Sequence, residues 1–236
     1  MLVVAIILSV LLFGLGFVLT KKNASTLLSG YNTMSAAEQE KFDLDGYIPF
    51  FRRFHWFLGS SMLGLSLLVY FLIGSGSLGY VVALYPIAAY GYFMLAGQRF
   101  QQSKKQIRLA RIGAILMAVI LIGVASLLYY GRQGNDILVT EEALVIEGMY
   151  GETISWNDIS RIDQLDQLPS IDSRINGFSD GERLKGYFRT EAGDKVKMIV
   201  ERANRPYLHI KRQEGADIYL SVNVEEANNI QNQFSE

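Results

Sequence analysis

Cysteine is absent from this sequence of 236 residues, and only two histidines occur, His55 and His209. The first absence excludes disulfides, cysteine-based zinc sites and thiol catalysis. The second leaves no pair of histidines at metal-ligand spacing. A single histidine in a strand pattern, as at His209, reads as an exposed or hydrogen-bonded side chain rather than a ligand or a base. Also missing are the G-x-S-x-G elbow, the P-loop, H-E-x-x-H and the Rossmann fingerprint. The many Asp and Glu residues are not singled out by context. No catalytic residue, metal or cofactor is therefore expected, and the chain is read as not being an enzyme.

Charge is missing where it matters most. Residues 112–130 contain no charged side chain, and as an α-helix they would measure about 28 Å, close to the hydrocarbon thickness of a bilayer. Arg108 and Arg111 stand before this stretch, and Tyr129 and Tyr130 close it. Upstream lie three more uncharged stretches, at about 1–20, 55–74 and 79–98, so four spans are expected. The first lacks both a basic n-region and a small-residue cleavage site, and it reads as a retained helix. Up to Gly131 there are ten Lys or Arg against four acidic residues; from Arg132 onward there are twelve against nineteen. A basic membrane half, 1–131, joined to an acidic soluble half, 132–236, predicts an integral membrane protein whose first partner is the lipid bilayer. No nucleic-acid partner is expected.

Positive charge sets the expected orientation. The loop at 21–54 holds Lys21, Lys22, Lys41, Arg52 and Arg53; the connection at 75–78 holds none; the loop at 99–111 holds Arg99, Lys104, Lys105, Arg108 and Arg111. Both basic loops are thus expected in the cytoplasm, with the amino terminus and the carboxy-terminal domain outside. The aromatic stretch FFRRFHWF at 50–57 reads as an interfacial anchor. The spans are expected to lack ionisable residues, which weighs against an ion-coupled transporter. Ser60 with Gly64 and Ala114 with Ala118 have the small-xxx-small spacing that permits close helix packing. Pro86 could kink the third span.

Within the first loop, Gly30, Tyr31 and Asn32 form a turn, and Ser35 followed by Glu38 is a capping-box pattern for a short helix. The GYNTMS segment at 30–35, between an amino-terminal span and acidic, lysine-containing helix residues, resembles the hallmark of an uncharacterised family of small bacterial membrane proteins. The resemblance covers roughly 1–98 and implies a layout and a bacterial source, with no activity attached. The cysteine that many members carry shortly after the motif is absent here.

From Asp136 the periodicity becomes that of strands. ILVT and ALVIEG read as a hairpin turning at Glu141 and Glu142, followed by ETISW and ISRID. In LKGYFRT, Leu184, Gly186 and Phe188 share one face, while Lys185, Tyr187 and Arg189 share the other. KVKMIVE points Val196, Met198 and Val200 inward, and RPYLHIKR and ADIYLSV follow. Asn223 with Glu226 is a second capping box, opening a helix with Val224, Ala227, Ile230 and Phe234 at helical spacing. About seven strands and one amphipathic helix are expected, the helix closing the open end of a bent sheet. The segment from Gln164 to Glu182 reads as a long connection. Its Arg174, Asn176 and Phe178 combine an arginine with an aromatic and are the candidate binding residues.

SWNDISRID, LPSIDSRINGF, RLKGYFRTEAGDKVKMIV and RPYLHIK, followed by an Asn-initiated helix, resemble a bacterial pleckstrin-homology-like domain over about 134–235. Eukaryotic members of the broader fold often bind phosphoinositides through a basic loop between their first two strands. The corresponding residues here, Thr140, Glu141 and Glu142, are acidic, so that binding is not carried over. The expectation is therefore a multi-domain protein of the bacterial cytoplasmic membrane, a four-span bundle plus a PH-like β domain. Its expected role is non-catalytic: an outer interaction or regulatory module for an envelope protein or peptide. The alternatives are a small transporter or channel subunit with the soluble domain as gate or assembly module, and an enzyme of the outer face.

Overall fold

The computed structural model describes residues 1–28, 30–101 and 104–235. The chain forms two compact units, Met1–Leu127 and Leu128–Glu236. In the first, helices α1 (Leu2–Leu15), α4 (Leu44–Leu72), α5 (Leu78–Gly97) and α6 (Lys104–Arg132) dominate, with single-turn helices α2 (Ala24–Leu27) and α3 (Ala36–Gln39) between the first two. Three helical stretches, Leu44–Leu72, Ser75–Phe100 and Lys104–Arg132, are long and apolar enough to cross a membrane. This is a multi-pass membrane protein. The expected first span is shorter: α1 has 14 residues, about 21 Å of helix.

The second span begins eleven residues before its expected start. Asp43 caps α4 by accepting from the Gly46 N–H at 2.9 Å, so the helix nucleates there and carries Asp45, Arg52, Arg53 and His55 in its opening turns. The expectation of spans free of ionisable side chains thus fails at His55, which is 2% exposed. Pro86 does not interrupt α5.

Close packing of α1 on α4 is set by Gly59, where an added Cβ would stand 2.6 Å from the Phe13 Cβ and the Ser9 carbonyl oxygen. The anticipated small pair is not the contact: Ser60 is exposed, and a Cβ on Gly64 would meet open space. Ala114 is buried and Ala118 exposed; the approach of α5 to α6 instead uses Gly113, facing the Met94 sulfur, and Gly91, facing Met117. The small residues sit one position away from the expected ones, which rotates the contact by about 100° around each helix.

The GYNTMS segment folds onto aromatic residues at the end of α4. Tyr31 packs on Phe42 at 5.3 Å between centroids, Phe42 on Tyr47 at 5.3 Å, and Tyr47 edge-on to Phe100 at 5.7 Å. The Gln39 amide donates to the Tyr31 carbonyl at 3.0 Å. The Ser35–Glu38 capping box forms as expected.

The second unit contains two sheets. Strands β1 (Ile137–Val139), β2 (Ala143–Ile146) and β3 (Glu152–Ser155) make an antiparallel meander. Strands β4 (Ile159–Leu165), β5 (Ile171–Ser179), β6 (Arg183–Thr190), β7 (Lys195–Glu201), β8 (Tyr207–Arg212) and β9 (Ile218–Ser221) form a six-stranded sheet in the order β4-β8-β9-β7-β6-β5. After β7 the chain skips one position before laying down β8, and β9 fills the gap. Two reversals leave β9 parallel to β7.

Nine strands form where about seven were expected, and eight of them fall on the runs named from the sequence. The addition is β5, placed where a long connection was anticipated. As an edge strand it needs no apolar alternation, because its outer side faces solvent, and IDSRINGFS shows none. Leu144, Ile154, Ile199, Leu208, Ile210 and Leu220 fill the space between the two sheets, and Ala227 and Ile230 of α7 (Val224–Ser235) close it. The helix starts in the anticipated capping box, with the Glu226 N–H donating to Asn223 Oδ1 at 2.8 Å and the Asn223 N–H to the Glu226 carboxylate at 2.9 Å. Val224, expected on the apolar face, is 64% exposed. Leu184, Phe188, Val196, Met198 and Tyr207 form a second core on the opposite sheet face.

Gly59→Ala is expected to cost about 2 kcal/mol by overpacking and to lower the thermal midpoint of the detergent-solubilised protein. Gly64→Ala, which meets no atom within 4 Å, should leave that midpoint unchanged.

Candidate functional site

Arg174, Asn176 and Phe178 lie on β5, and the structure brings only the last two onto one face. Arg174 pairs with Phe188, Asn176 with Tyr187 and Phe178 with Lys185. Successive residues of β6 point to opposite sides of the sheet. The bulge at Ile175 therefore turns Arg174 away from Asn176, although their spacing in sequence suits a common face. Asn176 accepts a hydrogen bond from the Tyr150 hydroxyl at 2.9 Å. The Phe178 ring lies against Gly131, where a Cβ would approach it to 2.5 Å. Arg174 is exposed, and Ile175 beside it is 45% exposed.

Gly186 marks a second close approach. Its φ is +116°, and a Cβ there would meet the Asn176 carbonyl oxygen at 2.4 Å, with the Tyr150 ring at 3.1 Å. Only glycine combines that backbone with that neighbour. Tyr150, itself at φ +62°, packs edge-on to Tyr187 at 6.4 Å. The Lys195 ammonium stands 4.7 Å over the centre of the Tyr187 ring.

The face of β6 and β7 expected to meet solvent is covered. Lys185 is 3% exposed and Lys197 4%, because the three-stranded sheet and residues 133–135 lie over that side. Strand alternation cannot reveal this: it distinguishes two faces but not whether the second one is roofed. Most of these buried cations are paired. The Lys197 ammonium lies 2.9 Å from Glu152, and Arg212 lies 3.3 Å from the same carboxylate. Arg183 is held by Glu201, and Arg132 reaches Asp180 at 3.3 Å and Glu182 at 3.2 Å.

Lys185 differs: its ammonium donates to the Gln133 carbonyl oxygen, a neutral acceptor. Burial pushes its pKa below the ordinary lysine value, the neighbouring Arg183 adds to the shift, and Glu201 and Asp180 oppose it. Lys185 lines a cavity of about 360 Å³ together with Asn135, Arg183, Ile199, Leu220 and Val222.

His209 sits in a second hollow, of about 470 Å³, beside Thr190, Asp194 and Tyr219. Its Nε2 is 2.9 Å from Asp217 Oδ2, and its ring stacks on Tyr219 at 4.6 Å with a 4° interplanar angle. The other Asp217 oxygen accepts from the Arg212 N–H at 3.3 Å. These bonds fasten the β8–β9 turn and give the hydrogen-bonded strand histidine that its pattern suggests. Burial raises the Tyr219 pKa, with Asp217 and Asp194 adding to it. Among the described residues, no group of three or more His, Cys, Asp or Glu side chains is placed to hold a metal ion.

In the bundle, His55 Nδ1 is 2.8 Å from the Phe51 carbonyl oxygen, and Nε2 is 3.2 Å from the Tyr90 hydroxyl. Ser61 Oγ lies 2.6 Å from the Tyr85 hydroxyl. Two tyrosines of α5 thus satisfy two polar side chains of α4.

The fold defines a membrane protein with an apolar helical bundle and a β-rich carboxy-terminal unit. Among known families, the model of one described as "Domain of unknown function (DUF3784)" matches residues 6–101, the segment from α1 to the end of α5. No curated protein and no solved structure matches the chain.

Because the folded pKa of Lys185 lies below its unfolded value of 10.5, the unfolded chain binds more protons between the two, and stability rises with pH in that window. The stability linked to Lys185 is complete above the unfolded pKa and is lost as pH falls through the folded one. Denaturant midpoints measured as pH rises towards 10.5 should climb more steeply in the parent protein than in Lys185→Met.

Proposed function

We propose that this chain is a non-catalytic protein of the bacterial cytoplasmic membrane whose carboxy-terminal β domain is an interaction or regulatory module outside the cell membrane. The observation that carries the interaction reading is β5. It is nine residues long, stands at a sheet edge, and exposes residues 172–176. Its bulges at Asp172 and Ile175 spoil the edge as a template for continuous strand addition, a common protection against aggregation. What remains for recognition is side chains: Arg174 and the half-exposed Ile175 on an otherwise acidic domain. An arginine beside an aliphatic side chain suits an acidic, partly apolar segment of an envelope protein or peptide.

The orientation rests on charge. Lys21, Lys22 and Lys41 precede α4 and Arg52 and Arg53 lie in its opening turns, no basic residue occurs at 73–78, and Arg99, Lys104, Lys105, Arg108 and Arg111 gather around the α5–α6 connection. Four crossings, with α1 and its following turns as the first, put both basic groups inside and the β domain outside. The PH-like reading of that domain is supported by its run of strands and the terminal helix over the core; its parallel β7–β9 pair departs from a plain antiparallel meander. A transporter or channel role is favoured by one observation, the His55–Tyr90 and Ser61–Tyr85 bonds between α4 and α5, since intramembrane polar side chains often line pathways.

A periplasm-dependent reporter fused after Phe234 is expected to be active. A reporter active only in the cytoplasm would reverse the orientation. With p-benzoylphenylalanine at position 175 of the full chain in its native membrane, ultraviolet irradiation should give one discrete adduct. Arg174→Glu should remove that adduct, and the same probe at exposed Glu214 should give none. Identical labelling from both positions would sink the β5 surface.

A further inference from the structure

We propose that the cavity beside β6, β7 and β9 is a binding site for a small organic carboxylate with an aliphatic body, its carboxylate received by the Lys185 ammonium. The volume, about 360 Å³, falls within the range of small-molecule sites. Lys185 is 97% removed from solvent by its 3% exposure, and among the described residues its hydrogen bond goes to a neutral carbonyl. A buried ammonium without a bonded carboxylate is unusual, because desolvation must be repaid by a close opposite charge.

The other acids on the lining are already engaged: Glu201 by Arg183 and Asn204, and Glu226 by the Asn223 N–H. Glu201 acts on Lys185 through space and partly opposes its pKa shift, but the hydrogen bond of Lys185 goes to the Gln133 carbonyl. Two further polar atoms of lining residues, Arg183 Nε and Asn135 Oδ1, are buried without a hydrogen-bond partner. Arg183 Nε is a second donor for an anionic group, and Asn135 Oδ1 an acceptor for an N–H or O–H. Ile137, Ile199, Leu220 and Val222 supply apolar walls, and exposed Arg205 stands on the lining as a third cation beside Lys185 and Arg183. A hydrated inorganic anion would leave those walls unused, and a neutral hydrocarbon would leave the ammonium unpaired.

The depressed pKa of Lys185 gives the site a signature. A bound carboxylate favours the charged form, so binding weakens as pH rises through the folded pKa. The site is independent of the β5 surface, and it stands whichever side of the membrane the domain faces.

One chemistry has two sources here, a free aliphatic acid or the carboxy terminus of a peptide. The purified full chain in detergent is titrated with hexanoate and with N-acetyl-alanyl-leucine, each beside its uncharged amide, while acylation of Lys185 is followed by peptide mass spectrometry. Expected is saturable protection of Lys185 by at least one acid, with the amides weaker by about tenfold or more. The acid that protects at the lower concentration names the source. Ala203→Trp, at an exposed position of the lining, should weaken that acid by a similar factor while leaving the thermal midpoint unchanged. This checks the site without altering the buried lysine. No protection by either acid up to about 10 mM, or equal protection by acid and amide, would overturn the proposal.

Discussion

Hydrocarbon cannot hydrogen-bond to a peptide group or solvate a charge, and the first half of this protein follows from that constraint. Every backbone group in a spanning segment must find its partner within the helix, so the chain commits to long uninterrupted helices, and α5 continues through Pro86. The same constraint governs three of the polar side chains that remain inside, whereas the buried Ser66 Oγ has no hydrogen-bond partner among the described residues. Ser9 donates to the Ala5 carbonyl at 2.7 Å, Ser61 to that of Phe57 at 2.5 Å, and His55 Nδ1 sits 2.8 Å from that of Phe51. In each case a side chain turns back onto the carbonyl four residues earlier, a local solution that needs no partner helix. Only His55 and Ser61 also reach a second helix, through Tyr90 and Tyr85.

The β unit meets the opposite difficulty. Its six-stranded sheet is buried on parts of both faces, yet the strands carry lysines and arginines on the side beneath the smaller sheet. Single carboxylates do double service: Glu152 meets both Lys197 and Arg212, and Glu201 meets Arg183 while bonding to Asn204. Pairing of this kind roughly offsets desolvation rather than adding much stability, but it fixes register, because slipping a strand by one residue would turn its cations to the opposite face, away from their acids. Lys185 is the member left with a carbonyl, and the cavity opens beside it.

Much of the architecture was legible. The uncharged run at 112–130 became the core of α6, and Ser35 with Glu38 and Asn223 with Glu226 became two capping boxes. These features are local, set by a few neighbouring residues and by the 3.6 and 2.0 periods of the backbone. The candidate site was less legible. Arg174 and Asn176 are two apart and should share a face, but a bulge at Ile175 separates them. Lys185 and Lys197 alternate with apolar neighbours and should meet water, but the three-stranded sheet covers them.

By itself the sequence determined where most of the helices and strands occur and where charge is excluded, because propensity, capping and bilayer length act over a turn or a strand. It also fixed the division of the chain into an apolar and an acidic half. Only the tertiary structure decided which glycines bring α1 to α4, that IDSRINGFS is an edge strand, and that Lys185 lies beside a cavity. Those outcomes depend on what a second layer places over a face, and that layer comes from residues tens of positions away.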